Sequence, residues 1–311
     1  MSWILETLLY GVLKGVRDVV KKESLKISSS VEVLFFYTLF AFLFCIPASK
    51  DILSVDVSYL PYVFIKSFVI FIAWILSFRA IKDLPLSVYG ILDLSRVLFA
   101  TSLGIFVLGE PATRNQIIGL VLVAVGLVLL KRRKGEASEN IKPLIVVMAL
   151  ASCVFNAVSG FLDKVLTRYI TPSQLQFYYM FFLTLLYLIY LIVDALNIPE
   201  TVRIKIIKIE EAALHHSIPE ENKKESNINI KRAVKNYWIW ILAILFVIAD
   251  KSLFIANANP ESKITIMTLV KQSGCIVSIL AGKFIYKEKN MLHKFICAAI
   301  IILGIVIAVI K

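Results

Sequence analysis

The chain reads as a series of long apolar runs separated by short polar breaks. A membrane-spanning helix needs about 20 mostly apolar residues, and ten runs approach or reach that length. The first five extend from Trp3 to Val20, Val31 to Ala48, Leu60 to Ile81, Leu84 to Leu108 and Asn115 to Leu130. The second five extend from Pro143 to Leu166, Pro172 to Ala195, Tyr237 to Ala258, Ser262 to Tyr286 and Met291 to Ile310. The fold expected is therefore all-α, a polytopic membrane protein of ten transmembrane helices. Two polar interruptions divide it. KRRKGEASEN, from Lys131 to Asn140, separates five runs from five, and a longer insertion occupies about 196–235.

The two halves are similar. Shifting the first by 178 residues carries Glu110 of LGEP onto Glu288 of YKEK, and Gly126 onto Gly304. The fourth run then overlays the ninth, and the fifth overlays the tenth. A shift of 145 carries Thr7, Gly11, Lys14, Gly15 and Asp18 onto Ser152, Asn156, Ser159, Gly160 and Asp163. The two shifts differ largely because of the insertion. Five is an odd number, so the second half enters the membrane from the opposite side, giving an inverted repeat of residues 1–134 and 141–311. Halves related in this way can exchange conformations and open a shared central site to either side in turn.

The five-plus-five plan resembles the drug/metabolite transporter superfamily in its EamA-type branch. The acidic residue just after the fourth and ninth runs, in GE and KE, resembles it too, as does the glycine-bearing helix that follows (Gly119 and Gly126; Gly304). The resemblance covers essentially the whole chain. It implies a basket of helices around a central cavity and transport without ATP hydrolysis. It does not specify a substrate, because members carry amino acids, nucleotide sugars, sugar phosphates, choline or drugs. The insertion and the number of charges within helices both depart from the family pattern.

Composition agrees with a membrane location. The 311 residues are 59% hydrophobic, against about 45–50% in soluble domains. The net charge of +12 falls mostly in short loops, where it orients a membrane protein and meets anionic lipid, rather than forming a nucleic-acid surface. Cys45, Cys153, Cys275 and Cys297 lie in apolar runs without C-x-x-C spacing and read as small core residues. His215–His216 is a loop pair, and no metal or other cofactor is expected. The sequence lacks H-E-x-x-H, G-x-S-x-G and a Walker loop, so the chain is not expected to be an enzyme.

The informative residues are the charges inside the apolar runs, because a mid-membrane charge costs at least about 2.5–3.5 kcal/mol and usually faces a cavity or a partner. In the ninth run Thr268, Lys271, Gln272, Cys275 and Ser278 share one helical face. In the fourth, Tyr89, Asp93, Arg96, Ala100 and Gly104 form the matching stripe. Asp93 overlays Lys271, so an ion pair between them is expected. Lys14, Asn156, Asp250 and Lys251 complete the candidates for substrate binding or coupling. Arg17, Asp18, Asp163 and Lys164 fall near run ends, where side chains reach toward the interface; Lys66 lies between these cases. Gly11, Gly15 and Gly160 read as close helix contacts. Trp74, Tyr89, Tyr178 and Tyr179 could line a pocket or belong to packing and interface belts.

The deep set holds four bases (Lys14, Arg96, Lys251, Lys271) and two acids (Asp93, Asp250). Two cations remain after pairing, which points to an anionic or zwitterionic small metabolite such as an amino acid or sugar phosphate. A cation or drug exporter using Asp93 or Asp250, and a flippase for a phosphate-bearing lipid, are the alternatives. The partners expected are that small molecule, a coupling proton or ion, and membrane lipids. The charge count puts the KRRK loop and the insertion in the cytoplasm with both termini outside; the family resemblance implies cytoplasmic termini. The expected location is the plasma (inner) membrane of a prokaryote. The start of the insertion, TVRIKIIKIEEAALHH, is amphipathic and suits a membrane surface, whereas EENKKESN suits disorder.

Overall fold

A computed structural model describes residues 2–48, 52–108, 113–131, 142–195, 229–262, 267 and 270–309. Every regular element among the described residues is helical. The first half contains α1 (Ser2–Ile27), α2 (Ser30–Cys45), α3 (Leu60–Asp83), α4 (Leu86–Asp93), α5 (Arg96–Leu108) and α6 (Arg114–Lys131). The second contains α7 (Pro143–Leu166), α8 (Pro172–Ala195), α9 (Ile230–Lys235), α10 (Tyr237–Ala258), α11 (Ser273–Phe284) and α12 (Met291–Val309).

Local chemistry explains several of the helix starts. Ser29 and Glu32 form a reciprocal capping box on α2. Thr171 and Gln174 exchange the same pair of bonds at α8, at 3.3 and 3.0 Å. Pro61 and Pro143 occupy the first turns of α3 and α7, where no intrahelical N–H is needed. Asn236 caps α10 through Trp238 N, at 3.2 Å.

Helices of one half pack on helices of the other. α1 lies against α10 and α11, α2 against α8, α3 against α7, α4 against α11, and α6 against α12. A Cβ on Gly304 would stand 2.8 Å from Gly119 O, so the α6–α12 contact brings backbone against backbone. Tyr37, Phe78, Tyr179, Tyr187 and Phe246 are among the largest fully buried side chains of the core. Outward faces are also apolar: Leu5, Phe68, Val121, Val128, Ile189 and Leu292 are all exposed. Such a surface suits lipid. Among the described residues four helices are long and apolar enough to cross a membrane: Val57–Asp83, Pro143–Leu166, Pro172–Val193 and Tyr237–Ala258. Shorter apolar helices accompany them.

The structure corrects the expected elements in three places. α1 continues to Ile27 rather than ending at Val20, because KKESLKI stays helical although it is polar. Arg17 and Asp18 are consequently interior residues. The run from Leu84 to Leu108 is two helices. At its centre Leu94 N and Ser95 N bond back three residues, to Ile91 O and Leu92 O, which tightens the chain and ends α4. The ninth run is likewise interrupted at Gln272, after which α11 begins. Leu94 and Gln272 are 178 residues apart. A hydrophobic pattern cannot register such breaks, because the residues on both sides remain apolar.

The KRRK break after Lys131, Glu110 and nearly all of the insertion, including His215 and His216, lie outside the described residues. The last residues of the insertion form α9.

A buried charge network as candidate functional site

The break between α4 and α5 places Asp93 and Arg96 on successive turns facing α1. Lys14 Nζ of α1 donates to Asp93 Oδ2, and Arg96 Nη2 donates to Asp93 Oδ1 at 2.7 Å. Lys14 and Asp93 are buried, while Arg96 retains some exposure. One carboxylate therefore serves two cations.

Three further pairs surround this triad. Arg17 Nη1 of α1 stands 3.1 Å from Asp250 Oδ1 of α10, with its guanidinium 5.0 Å from the Phe246 ring and 5.8 Å from that of Tyr10. Lys66 Nζ of α3 stands 3.1 Å from Asp163 Oδ1 of α7 and 3.4 Å from the Tyr179 ring centre. Lys21 donates to Asp18 at 3.0 Å along α1. Two of these pairs join the halves, and each cation over an aromatic face gains from the ring quadrupole.

Lys271 differs from the other cations. Its ammonium lies 5.9 Å from the Tyr10 ring, on the same ring that Arg17 approaches. Among the described residues it has no carboxylate partner. The expected Asp93–Lys271 pair is not formed, because Lys14 and Arg96 reach Asp93 instead. Asp163 and Asp250 lie close enough to act on Lys271 electrostatically, as do Arg96 and Lys14.

The other sequence candidates divide. Tyr89 is buried and tethered through its hydroxyl to Ser77 Oγ at 2.6 Å. Gln272 is buried at the break before α11. Asn156 donates to Ser152 O of its own helix at 2.7 Å. Lys251 points away from the network, donating to Ser173 Oγ near the start of α8 at 2.5 Å. Thr268 lies outside the described residues. Trp74 stacks on Tyr37 with ring centres 5.2 Å apart, and Tyr178 donates to Ile52 O at 3.1 Å.

Sequence reasoning placed Arg17, Asp18 and Asp163 toward the interface, yet all three are buried and paired. Arg17 and Asp18 are in mid-helix once α1 is seen at full length. Asp163 is held by Lys66 of a neighbouring helix, a contact with no sequence signature. Lys164 bonds Asn257 O and Ser262 Oγ at 2.8 and 2.7 Å. Tyr10 and Lys21 were overlooked, and the i, i+3 spacing of Asp18 and Lys21 could have indicated that pair. Gly11 and Gly15 do pack closely on α11, whereas a Cβ on Gly160 would meet nothing within 4 Å. All four cysteines are buried and free. No group of metal-ligating side chains occurs among the described residues.

A solved structure described as "Crystal structure of protein" matches 99% of this chain and 96% of its own, with a TM-score of 0.60 and 16% identity. That likeness concerns the fold alone. No curated protein matches the chain. Residues 1–132 match the model of the EamA-like transporter family, so this part of the chain is similar to that family, and the apolar helices agree with an integral, multi-pass membrane protein.

Proposed function

We propose that the protein is a secondary transporter that moves a small anionic or zwitterionic metabolite by alternating access between two inverted five-helix halves. The observation that carries this reading is Lys271. It is an ammonium inside an apolar bundle with no carboxylate partner among the described residues, while Asp93, its expected partner, is held by Lys14 and Arg96. An uncompensated cation in such a setting is costly, and a substrate anion would relieve that cost.

The helix breaks support the repeat. Asp93 and Lys271 each stand just before an interruption, 178 residues apart, the same shift that overlays the halves in sequence. Discontinuous helices at mid-membrane leave backbone groups free to meet a substrate or ion. An exporter of amines is less well supported, since Asp18, Asp93, Asp163 and Asp250 are each already engaged by a cation.

The test is uptake into proteoliposomes of radiolabelled amino acids, dicarboxylates, sugar phosphates and choline. The expected result is uptake of an anionic or zwitterionic compound, reduced at least tenfold by Lys271→Gln. Unimpaired uptake by that variant, or uptake confined to choline, would refute the reading.

A further inference from the structure

The central network is unbalanced in a countable way, and its imbalance bears on the charge of the substrate; this inference rests on the anion-transport reading above. Among the described residues six basic side chains, Lys14, Arg17, Lys21, Lys66, Arg96 and Lys271, face four carboxylates, Asp18, Asp93, Asp163 and Asp250. Arg17, Lys21 and Lys66 are each ion-paired with one carboxylate, and Asp163 and Asp250 also act on Lys271 from a greater distance. The surplus of two positive charges therefore centres on the Lys14–Asp93–Arg96 triad and on Lys271, which has no ion-pair partner among the described residues; Asp163 attracts that ammonium, and Arg96 and Lys14 repel it.

Two unpartnered polar atoms lie at the helix breaks beside these residues. Arg96 Nε and Ser273 Oγ are both buried without a hydrogen-bond partner. Arg96 is bonded to Asp93 at 2.7 Å, and Ser273 Oγ lies toward Gly11 of α1, one helical turn from Lys14. Arg96 and Ser273 also begin the half-helices α5 and α11, whose N-terminal ends favour negative charge.

We propose that the substrate carries a dianionic headgroup, of the phosphate-monoester or dicarboxylate kind, held by Lys14, Arg96 and Lys271. A zwitterion leaves both surplus charges in place, and a monoanion leaves one. A dianion cancels both and supplies an acceptor for the unpartnered Arg96 Nε. Charge-assisted bonds from a guanidinium to such an anion are among the stronger polar contacts proteins make.

The experiment is thermal unfolding of the full-length purified protein with glycerol 3-phosphate, succinate, acetate, glycine or short-chain phosphatidic acid. Binding to the folded state raises the unfolding temperature. Lys271→Gln is the variant of choice because it breaks no ion pair of the network. Glycerol 3-phosphate or succinate should stabilise the protein at concentrations about tenfold lower than acetate or glycine, and Lys271→Gln should erase that preference. Phosphatidic acid outperforming glycerol 3-phosphate would also support the dianion and place it on a lipid. If acetate or glycine is as effective as the dianions and loses its effect in Lys271→Gln, the dianion is refuted while anion transport stands. If neither dianion stabilises the protein, the dianion assignment falls. If Lys271→Gln changes no ligand response, both readings fall.

Discussion

Arg17 of α1 and Asp250 of α10 meet at 3.1 Å, across the boundary between the two halves of the chain. Both are buried, so removing one leaves the other without compensation. Asp250→Asn should lower stability by about 3–5 kcal/mol. The double change Arg17→Met with Asp250→Leu should recover most of that loss, because replacing a buried pair by apolar groups is often neutral. Thermal unfolding of the single and double variants checks this, and additive losses would show that the pair is not coupled.

Small residues let α1 approach α11, and the same residue type on α7 has no such role. A Cβ on Gly15 would stand 2.5 Å from Gly274 O and 2.6 Å from Val277 Cβ, so helix backbone would have to move. Gly15→Ala should cost about 1–3 kcal/mol. Gly160 has nothing within 4 Å of that position, and Gly160→Ala should gain about 0.5–1 kcal/mol from lower chain entropy. Matching unfolding temperatures for the two variants would contradict this contrast.

Glu288, in the turn between α11 and α12, ties α12 to the start of α4. It accepts from Ser87 Oγ and from Lys294 Nζ, the latter at 2.9 Å. Lys287 and Asn290 take positive φ of 49° and 56°, which folds the turn back tightly. Burial alone would raise this carboxyl, but the Ser87 and Lys294 bonds outweigh it and hold the group below its usual 4.5. A depressed carboxylate contributes stability that is present above the unfolded value and is lost as pH falls through the folded one. Stability should therefore drop below about pH 4.5, and Glu288→Gln should flatten that part of the profile. Thermal unfolding across pH 3 to 7 measures it.

Glu32 is fully buried and accepts both oxygens' worth of bonds from Arg232, at 3.0 and 2.9 Å, together with Asn229 N at 2.7 Å. This clasp fastens α9, immediately after the insertion, to the start of α2. Arg232→Ala should destabilise the protein by about 2 kcal/mol or more, since a buried carboxylate loses its counterion. Glu32→Gln in that background should restore part of the loss. A silent Arg232→Ala in thermal unfolding would mean that the clasp contributes nothing.

The sequence by itself determined the membrane class, the apolar helices, the 178-residue correspondence and the identity of the deep charges. These are properties of composition and period, and they follow from the need of each spanning segment to satisfy its own backbone in lipid. Lys14, Asp93, Arg96, Asp250 and Lys271 were all visible as charges in apolar surroundings. Only the tertiary structure decided who meets whom. Asp93 chose Lys14 over its overlaid mate Lys271, Arg17 reached Asp250, and Lys66 reached Asp163. Those choices depend on where α1 ends, on the three-residue tightening at Leu94 and Ser95, and on helix faces turned toward one another. A hydrophobic pattern fixes the face of a helix relative to lipid, but partner choice within the bundle is set by rotations and breaks that leave that pattern unchanged.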